Sequence, residues 1–139
     1  MKAIERTLVL IKPDAIEKDL VTLIRGEIEV AGLTIVSVTE MAFDMDLLLE
    51  FYAIPEIRYP HELVEQYICA KSLPVWIVDG ETAIGKMVEI KSRLRAKYGT
   101  SKLKNLFHCP DTTDEFDSQY DLLKQKGIVV ESTPERTPS

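Results

Sequence analysis

The stretch Asn105-Leu-Phe-His-Cys-Pro-Asp111 carries one of only two histidines in 139 residues. A short apolar run, Leu106 and Phe107, ends in His108 and is followed by a Cys-Pro-Asp turn. That pattern suits a strand that delivers an imidazole to the rim of a site. A neutral imidazole is a nucleophile, and with an unperturbed pKa of about 6.5 it is mostly neutral near pH 7. Taken alone, the same pattern more readily describes a histidine that merely ends a strand. Lys12 is the second informative residue. It closes the apolar run from Thr7, and Pro13 restricts its backbone to extended geometry. A lysine held this way can aim a point charge at a phosphate, the plain alternative being a solvated strand end.

Both residues need a scaffold, and the hydrophobic pattern supplies one. Thr7 to Lys12 reads as a buried strand stopped by Pro13-Asp14. Leu20, Leu23, Ile24, Ile28 and Ala31 share one helical face, and Gly32 is a natural C′ residue. Leu33 to Phe43, rich in β-branched residues, predicts a second strand with alternation through Ile35, Val36 and Val38. Asp44 can N-cap a short helix bearing Leu47, Leu48, Phe51 and Tyr52. Pro60 can open another, with Leu63, Val64, Tyr67 and Ile68 on its apolar face. Pro74 to Val78 is a third strand. Thr82 to Tyr98 is a long amphipathic helix through Ala83, Ile84, Met87, Ile90 and Leu94, closed by Gly99. His108 lies on the fourth strand, and a last helix from Thr112 or Thr113 carries Phe116, Tyr120 and Leu123 before Gly127. Ile128 to Val130 is a candidate edge strand.

The order β-α-β-(αα)-β-α-β-α predicts an α/β protein of the α+β kind. It is a ferredoxin-like βαββαβ sandwich, an antiparallel four-stranded sheet with helices packed on one face. One domain is expected over residues 1–132. The tail 133–139 has nothing to bury and is expected to be disordered.

A net charge of −6 argues against non-specific attraction to nucleic acid or an anionic membrane, so a phosphate ligand would need a local cluster of cations. Cys69 and Cys109 are far apart and lack zinc-site spacing. No apolar run reaches membrane length and the first strand begins without a leader-like stretch, so a reduced, cytoplasmic setting is the expectation.

The Glu-Arg-Thr-x-x-x-Ile-Lys-Pro-Asp run ending at Asp14, the Phe51-Tyr52 pair, Arg58, and Asn-x-x-His-x-x-Asp ending at Asp111 occur in that order. In these features the chain resembles the nucleoside diphosphate kinase family, from Ala3 to around Leu123 and most closely in its first fifty residues. The resemblance implies ping-pong transfer of the γ-phosphate of a nucleoside triphosphate such as ATP to a nucleoside diphosphate, through a phosphohistidine on His108. It puts Lys12 and Asn105 near sugar and phosphates, Tyr52 beside the histidine, and Arg58 on a phosphate. Arg95 and Thr100, in Arg-Ala-Lys-Tyr-Gly-Thr, resemble a further phosphate-binding element. Mg²⁺ is implied as a cofactor held mainly by the nucleotide phosphates, with Asp111 touching it through water, and a homo-oligomer is implied. The chemistry is coherent, because phosphoryl transfer needs an in-line nucleophile and cations to hold and neutralise the phosphate oxygens.

The pattern also departs from the family. Gly-Ser-Asp or Ala-Ser-Asp after the histidine becomes Cys109-Pro110-Asp111, and the glutamate that orients the imidazole is replaced by Gln119. A neutral amide can bond a ring nitrogen but stabilises charge on it less than a carboxylate does. The long loop before the histidine shrinks to Ser101-Lys-Leu-Lys104, leaving Lys102 or Lys104 to replace a lost arginine. Arg93 competes with Arg95 for the first phosphate role, and a register without an insertion leaves Val88 there. The base-stacking aromatic falls near Pro60, beside Tyr59.

Two rivals fail on chemistry. Gly80-Glu-Thr-Ala-Ile-Gly-Lys-Met87 nearly matches a P-loop, but Met87 stands where a hydroxyl should ligate Mg²⁺, and Asp79 and Glu81 repel phosphates. A cysteine phosphatase at Cys109 would need an arginine where Glu115 stands. The alternative that survives is a kinase-like fold with weakened or lost catalysis, acting as a nucleotide-binding or interaction module. Trp76 is expected in the core, and the acids Asp114, Glu115 and Asp117 as the first turn of the last helix.

Overall fold

The computed structural model describes residues 4–52, 69, 72–99 and 106–128. The apolar run after Glu5 becomes β1 (Glu5–Ile11), an inner strand buried from Arg6 onward. Pro13 does more than end that strand. It sits in the first turn of a short helix, α1 (Pro13–Glu17), where its missing N–H costs nothing. The next helix, α2 (Val21–Val30), buries Ile24 and Ile28 and ends before Gly32, whose φ of 82° suits a residue without Cβ. Leu23, expected on the buried face, is exposed.

The second strand is β2 (Thr34–Ala42), whose pairing with β3 shifts register between Ile35 and Ser37; alternation puts Val36 and Val38 on the same, exposed side. Asp44 caps α3 (Met45–Tyr52) by accepting the Leu47 amide at 2.8 Å. The expected helix after Pro60 lies outside the described residues. β3 (Ser72–Gly80) is longer than the Pro74–Val78 run foreseen. Pro74 is tolerated in it because the pairing with β1 stops at Val75, and Pro74 faces only Glu40 of β2. The long helix is α4 (Ala83–Tyr98), the fourth strand β4 (Phe107–His108) and the last helix α5 (Thr113–Gln125), N-capped by the Thr112 hydroxyl. Ile128 lies in a bend after α5, and Val129 and Val130 lie outside the described residues, as does the 133–139 tail.

The sheet is antiparallel in the order β2-β3-β1-β4, the ferredoxin-like arrangement. The one-face expectation for its helices needs correction. Alternation along β1 sends Val9 and Ile11 into a core with Ile24 and Ile28 of α2 and Met87, Ile90 and Leu94 of α4. Leu8 and Leu10 point the other way, into a second core with Leu48 and Phe51 of α3 and Phe116, Tyr120 and Leu123 of α5. Both faces are therefore covered, which is why β1 is apolar on both sides and not alternating. Trp76 is a core residue as expected, with the Arg25 guanidinium 5.1 Å from its ring centroid.

Candidate active site

β4 contains two residues and pairs with the end of β1, His108 opposite Leu10. So short a strand cannot fix its own direction. Its approach is set by the Lys12-Pro13-Asp14 turn: the Lys12 amide donates to the Leu106 carbonyl at 2.9 Å, and the Leu106 amide donates to the buried Asp14 carboxylate at 3.0 Å. Leu106 has φ of 80°, a left-handed conformation that costs a residue with a side chain about 1–3 kcal/mol. These two bonds and complete burial hold it there. Asp14 thus acts as a clamp on β4, a role its place in the sequence did not reveal.

His108 is 8% exposed, and its ring meets Phe51 edge to face with centroids 5.6 Å apart. Its Nε2 lies 3.0 Å from Gln119 Oε1, while the Gln119 amide nitrogen donates to Glu115 Oε1 at 3.3 Å. An ionised carboxylate only accepts, so the amide NH₂ faces Glu115 and the amide oxygen faces the ring. The network therefore assigns a hydrogen to Nε2 and the lone pair to Nδ1. Burial lowers the imidazole pKa from 6.5 to about 3; the Gln119 bond opposes the shift, and the charges of Lys12, Lys91 and Arg95 add to it. The ring is neutral, hence nucleophilic, throughout the physiological range.

Among the described residues, three cations stand around β4. Lys12 is 6% exposed, and burial together with the charges of Arg95 and Lys91 pulls its pKa from 10.5 down to about 8, against the pull of Asp14. Lys91 reaches in from α4 and donates to the Cys109 carbonyl at 3.0 Å and to Asp111 Oδ1 at 2.6 Å. Arg95, one turn further along the helix, donates from Nη2 to the Phe107 carbonyl at 2.7 Å. Arg93 points elsewhere and pairs with Glu27 at 2.8 Å on an exposed surface. Geometry thus separates the two competing arginines. Lys91 was missed at the level of sequence although a signal was present. It lies four residues after Met87 and three before Leu94, on the buried stripe, where a charge needs a partner or a task.

The neighbours of His108 are also placed. Cys109 is fully buried, and burial lifts its thiol to about 11, so it is an inert side chain and no nucleophile. Asp111 is largely exposed at the open side of the Lys91 pair. The N-terminus of α4 is closed to phosphate: the Glu5 carboxylate accepts the Ile84 amide at 2.7 Å, which disposes of the P-loop reading. Arg58, Thr100, Asn105, Lys102, Lys104, Tyr59, Pro60 and the side chain of Tyr52 lie outside the described residues.

Fold and site together are a ferredoxin-like sandwich whose short edge strand ends in a neutral histidine beside the buried Lys12 and Lys91 and the half-buried Arg95, a charge arrangement suited to a phosphate ligand. The comparisons with known proteins narrow that reading. The nucleoside diphosphate kinase family model matches residues 5–127, and the chain belongs to that family. It is 30% identical to the nucleoside diphosphate kinase of Aquifex aeolicus, covering 86% of this chain and 92% of that protein. The enzyme of Cutibacterium acnes is 28% identical over 85% of this chain and 93% of its own. The crystal structure of the Aquifex aeolicus kinase superposes with a TM-score of 0.77 at 28% identity, covering 92% of this chain and all of that one. The Halobacterium salinarum kinase in complex with CDP shares the fold, with a TM-score of 0.74 at 24% identity over 94% of each chain.

Proposed function

We propose that this protein is a nucleoside diphosphate kinase that carries the γ-phosphate of a nucleoside triphosphate on His108 and passes it to a nucleoside diphosphate. The observation that supports this most is the hydrogen-bonded ring. With Nε2 committed to Gln119, the lone pair on Nδ1 is the nucleophile. It attacks the γ-phosphorus, the bond from that phosphorus to the β–γ bridging oxygen breaks, and the electron pair leaves with the diphosphate. A second nucleotide reverses the step. Lys12, Lys91 and Arg95 put positive charge around the ring, where the transferring group spreads negative charge over its equatorial oxygens.

Mg²⁺ fits as part of the nucleotide complex. Among the described residues no cluster of three acidic, histidine or cysteine side chains could hold an ion, and Asp111 offers a single exposed carboxylate already paired with Lys91. Asp111 would hold the metal only as an outer partner, the ion neutralising phosphate charge when bound. Binding-site roles for Arg58, Thr100, Asn105 and Tyr52 remain part of the proposal on the strength of family resemblance.

Incubation with γ-labelled ATP and Mg²⁺ is expected to place acid-labile, alkali-stable label on the protein, discharged by an added nucleoside diphosphate. ATP binding without label would instead favour the nucleotide-binding module.

Lys12 makes a second expectation. Its pKa of about 8 lies below 10.5, so the amine loses its charge as pH rises through about 8. A bound triphosphate favours the ammonium, so binding at pH 8.5 should take up a fraction of a proton and weaken toward pH 9.5. Calorimetry in buffers of different ionisation enthalpy measures this, and Lys12→Met should abolish the uptake.

A second copy of the chain is the proposed partner. β2 lies at the edge of the sheet with Val36 and Val38 exposed. No membrane is invoked, and no helix among the described residues is long and apolar enough to cross one. Val38→Glu should leave the fold intact and lower the mass measured by light scattering; an unchanged mass removes β2 from the interface.

A further inference from the structure

We propose that Glu115 is a positioning residue for His108, supplying through Gln119 the carboxylate that the family keeps beside the ring and this chain lacks there. The inference rests on the function proposed above.

The three acids at the start of α5 are not equivalent. Asp114 and Asp117 are exposed, as acids complementing a helix N-terminus should be, but Glu115 turns inward with its side chain 35% exposed. It lies one helical turn before Gln119, the spacing at which two side chains on a helix meet. Its Oε1 accepts from the Gln119 amide at 3.3 Å and stands 3.6 Å from His108 Nε2. Its Oε2 accepts the Asp111 amide at 3.3 Å, and its own amide donates to the Thr112 hydroxyl at 3.1 Å. The carboxylate is thus held from both sides, bridging the loop after His108 and the side chain that touches the ring.

Two consequences follow for the chemistry. Gln119 by itself is ambiguous, since an amide can turn either its oxygen or its nitrogen to an imidazole. Glu115 removes the ambiguity, because it can accept only from the NH₂ group and so turns the oxygen to the ring. That keeps the hydrogen on Nε2 and the lone pair on Nδ1. When Nδ1 forms its bond to phosphorus and the diphosphate leaves, Nε2 keeps its hydrogen and the ring gains positive charge. A neutral amide cannot offset that charge. The Glu115 carboxylate, 3.6 Å from Nε2, can.

The test compares full-length wild type, Glu115→Gln, Gln119→Glu and the double variant by two measurements. Nitrogen-resolved NMR of the His108 ring reports the tautomer without any catalysis. Wild type should be the Nε2–H form, and Glu115→Gln a mixture, since its own amide now lets Gln119 turn. Single-turnover uptake of label should slow about tenfold in Glu115→Gln while triphosphate affinity stays within about twofold of wild type. Adding Gln119→Glu to that variant should restore uptake to within about threefold of wild type by putting a carboxylate directly on Nε2. An unchanged tautomer in Glu115→Gln overturns the inference, and so does a slowed uptake that Gln119→Glu does not recover. Wild type that binds nucleotide yet takes no label overturns the kinase reading instead, and the tautomer comparison then decides the case of Glu115 alone.

Discussion

Replacing His108 with asparagine is expected to lower phosphoryl transfer by more than about a thousandfold while leaving triphosphate binding nearly intact. Asparagine has no lone pair with imidazole's nucleophilicity, so the label should vanish, whereas the charges of Lys12, Lys91 and Arg95 remain to hold the phosphates. The fold should survive. Among the described contacts, the loss includes an edge-to-face contact with Phe51 and a hydrogen bond to Gln119, together about 1–2 kcal/mol. The pH dependence of stability supplies an independent check. The folded pKa of about 3 lies below the unfolded value of 6.5, so between these limits the unfolded chain binds the extra proton. Wild-type stability therefore falls as pH drops from 6.5 toward 3, and the His108→Asn variant should lack that part of the slope. Retained transfer in the variant would move the nucleophile elsewhere. An unaltered slope would mean that the ring is not held neutral.

The largest effect on stability is expected at Asp79. Its carboxylate takes two bonds from the Arg6 guanidinium, at 2.6 and 2.8 Å, both side chains are buried, and Arg6 Nη1 also donates to the Tyr120 hydroxyl at 3.2 Å. The Asp79 bond favours the charged guanidinium and raises its pKa. Asp79→Ala leaves that charge buried without its counterion and should cost about 3–5 kcal/mol in denaturant unfolding. A domain of this kind has about 5–15 kcal/mol in total, so the variant would be marginal. The loss should also reach the site, because Arg6 connects the β1–β3 pairing to Tyr120 of α5, the helix that carries Gln119 and Glu115. The control is the double replacement Arg6→Met with Asp79→Leu, which removes both charges and should recover most of the stability. If Asp79→Ala is as stable as wild type, the pair contributes nothing and the link from β1 to α5 must lie in the apolar core.

Much of the architecture is legible in the sequence. The periodicity of α2, α4 and α5 is strong because each has a buried stripe, and their ends carry Gly32, Gly127 and the Thr112 cap. The second covered face of the sheet was not legible. β1 is apolar throughout, and such a run shows burial on both sides without showing what covers each. Lys91 shows the same limit. A helical wheel places it on the buried stripe but gives no sign that Asp111 and the Cys109 carbonyl wait there.

By itself the sequence determined which histidine is proposed as the nucleophile, the Lys-Pro-Asp turn and the presence of Gln119 on the last helix, because these are matters of residue type and order along the chain. Only the tertiary structure decided which arginine stands by β4, that Asp14 clamps Leu106, and that Glu115 stands 3.6 Å from the His108 ring. Those facts depend on side-chain direction across elements as far as 92 residues apart. Local pattern does not encode such directions; they are set when the sheet closes and the helices pack on both its faces.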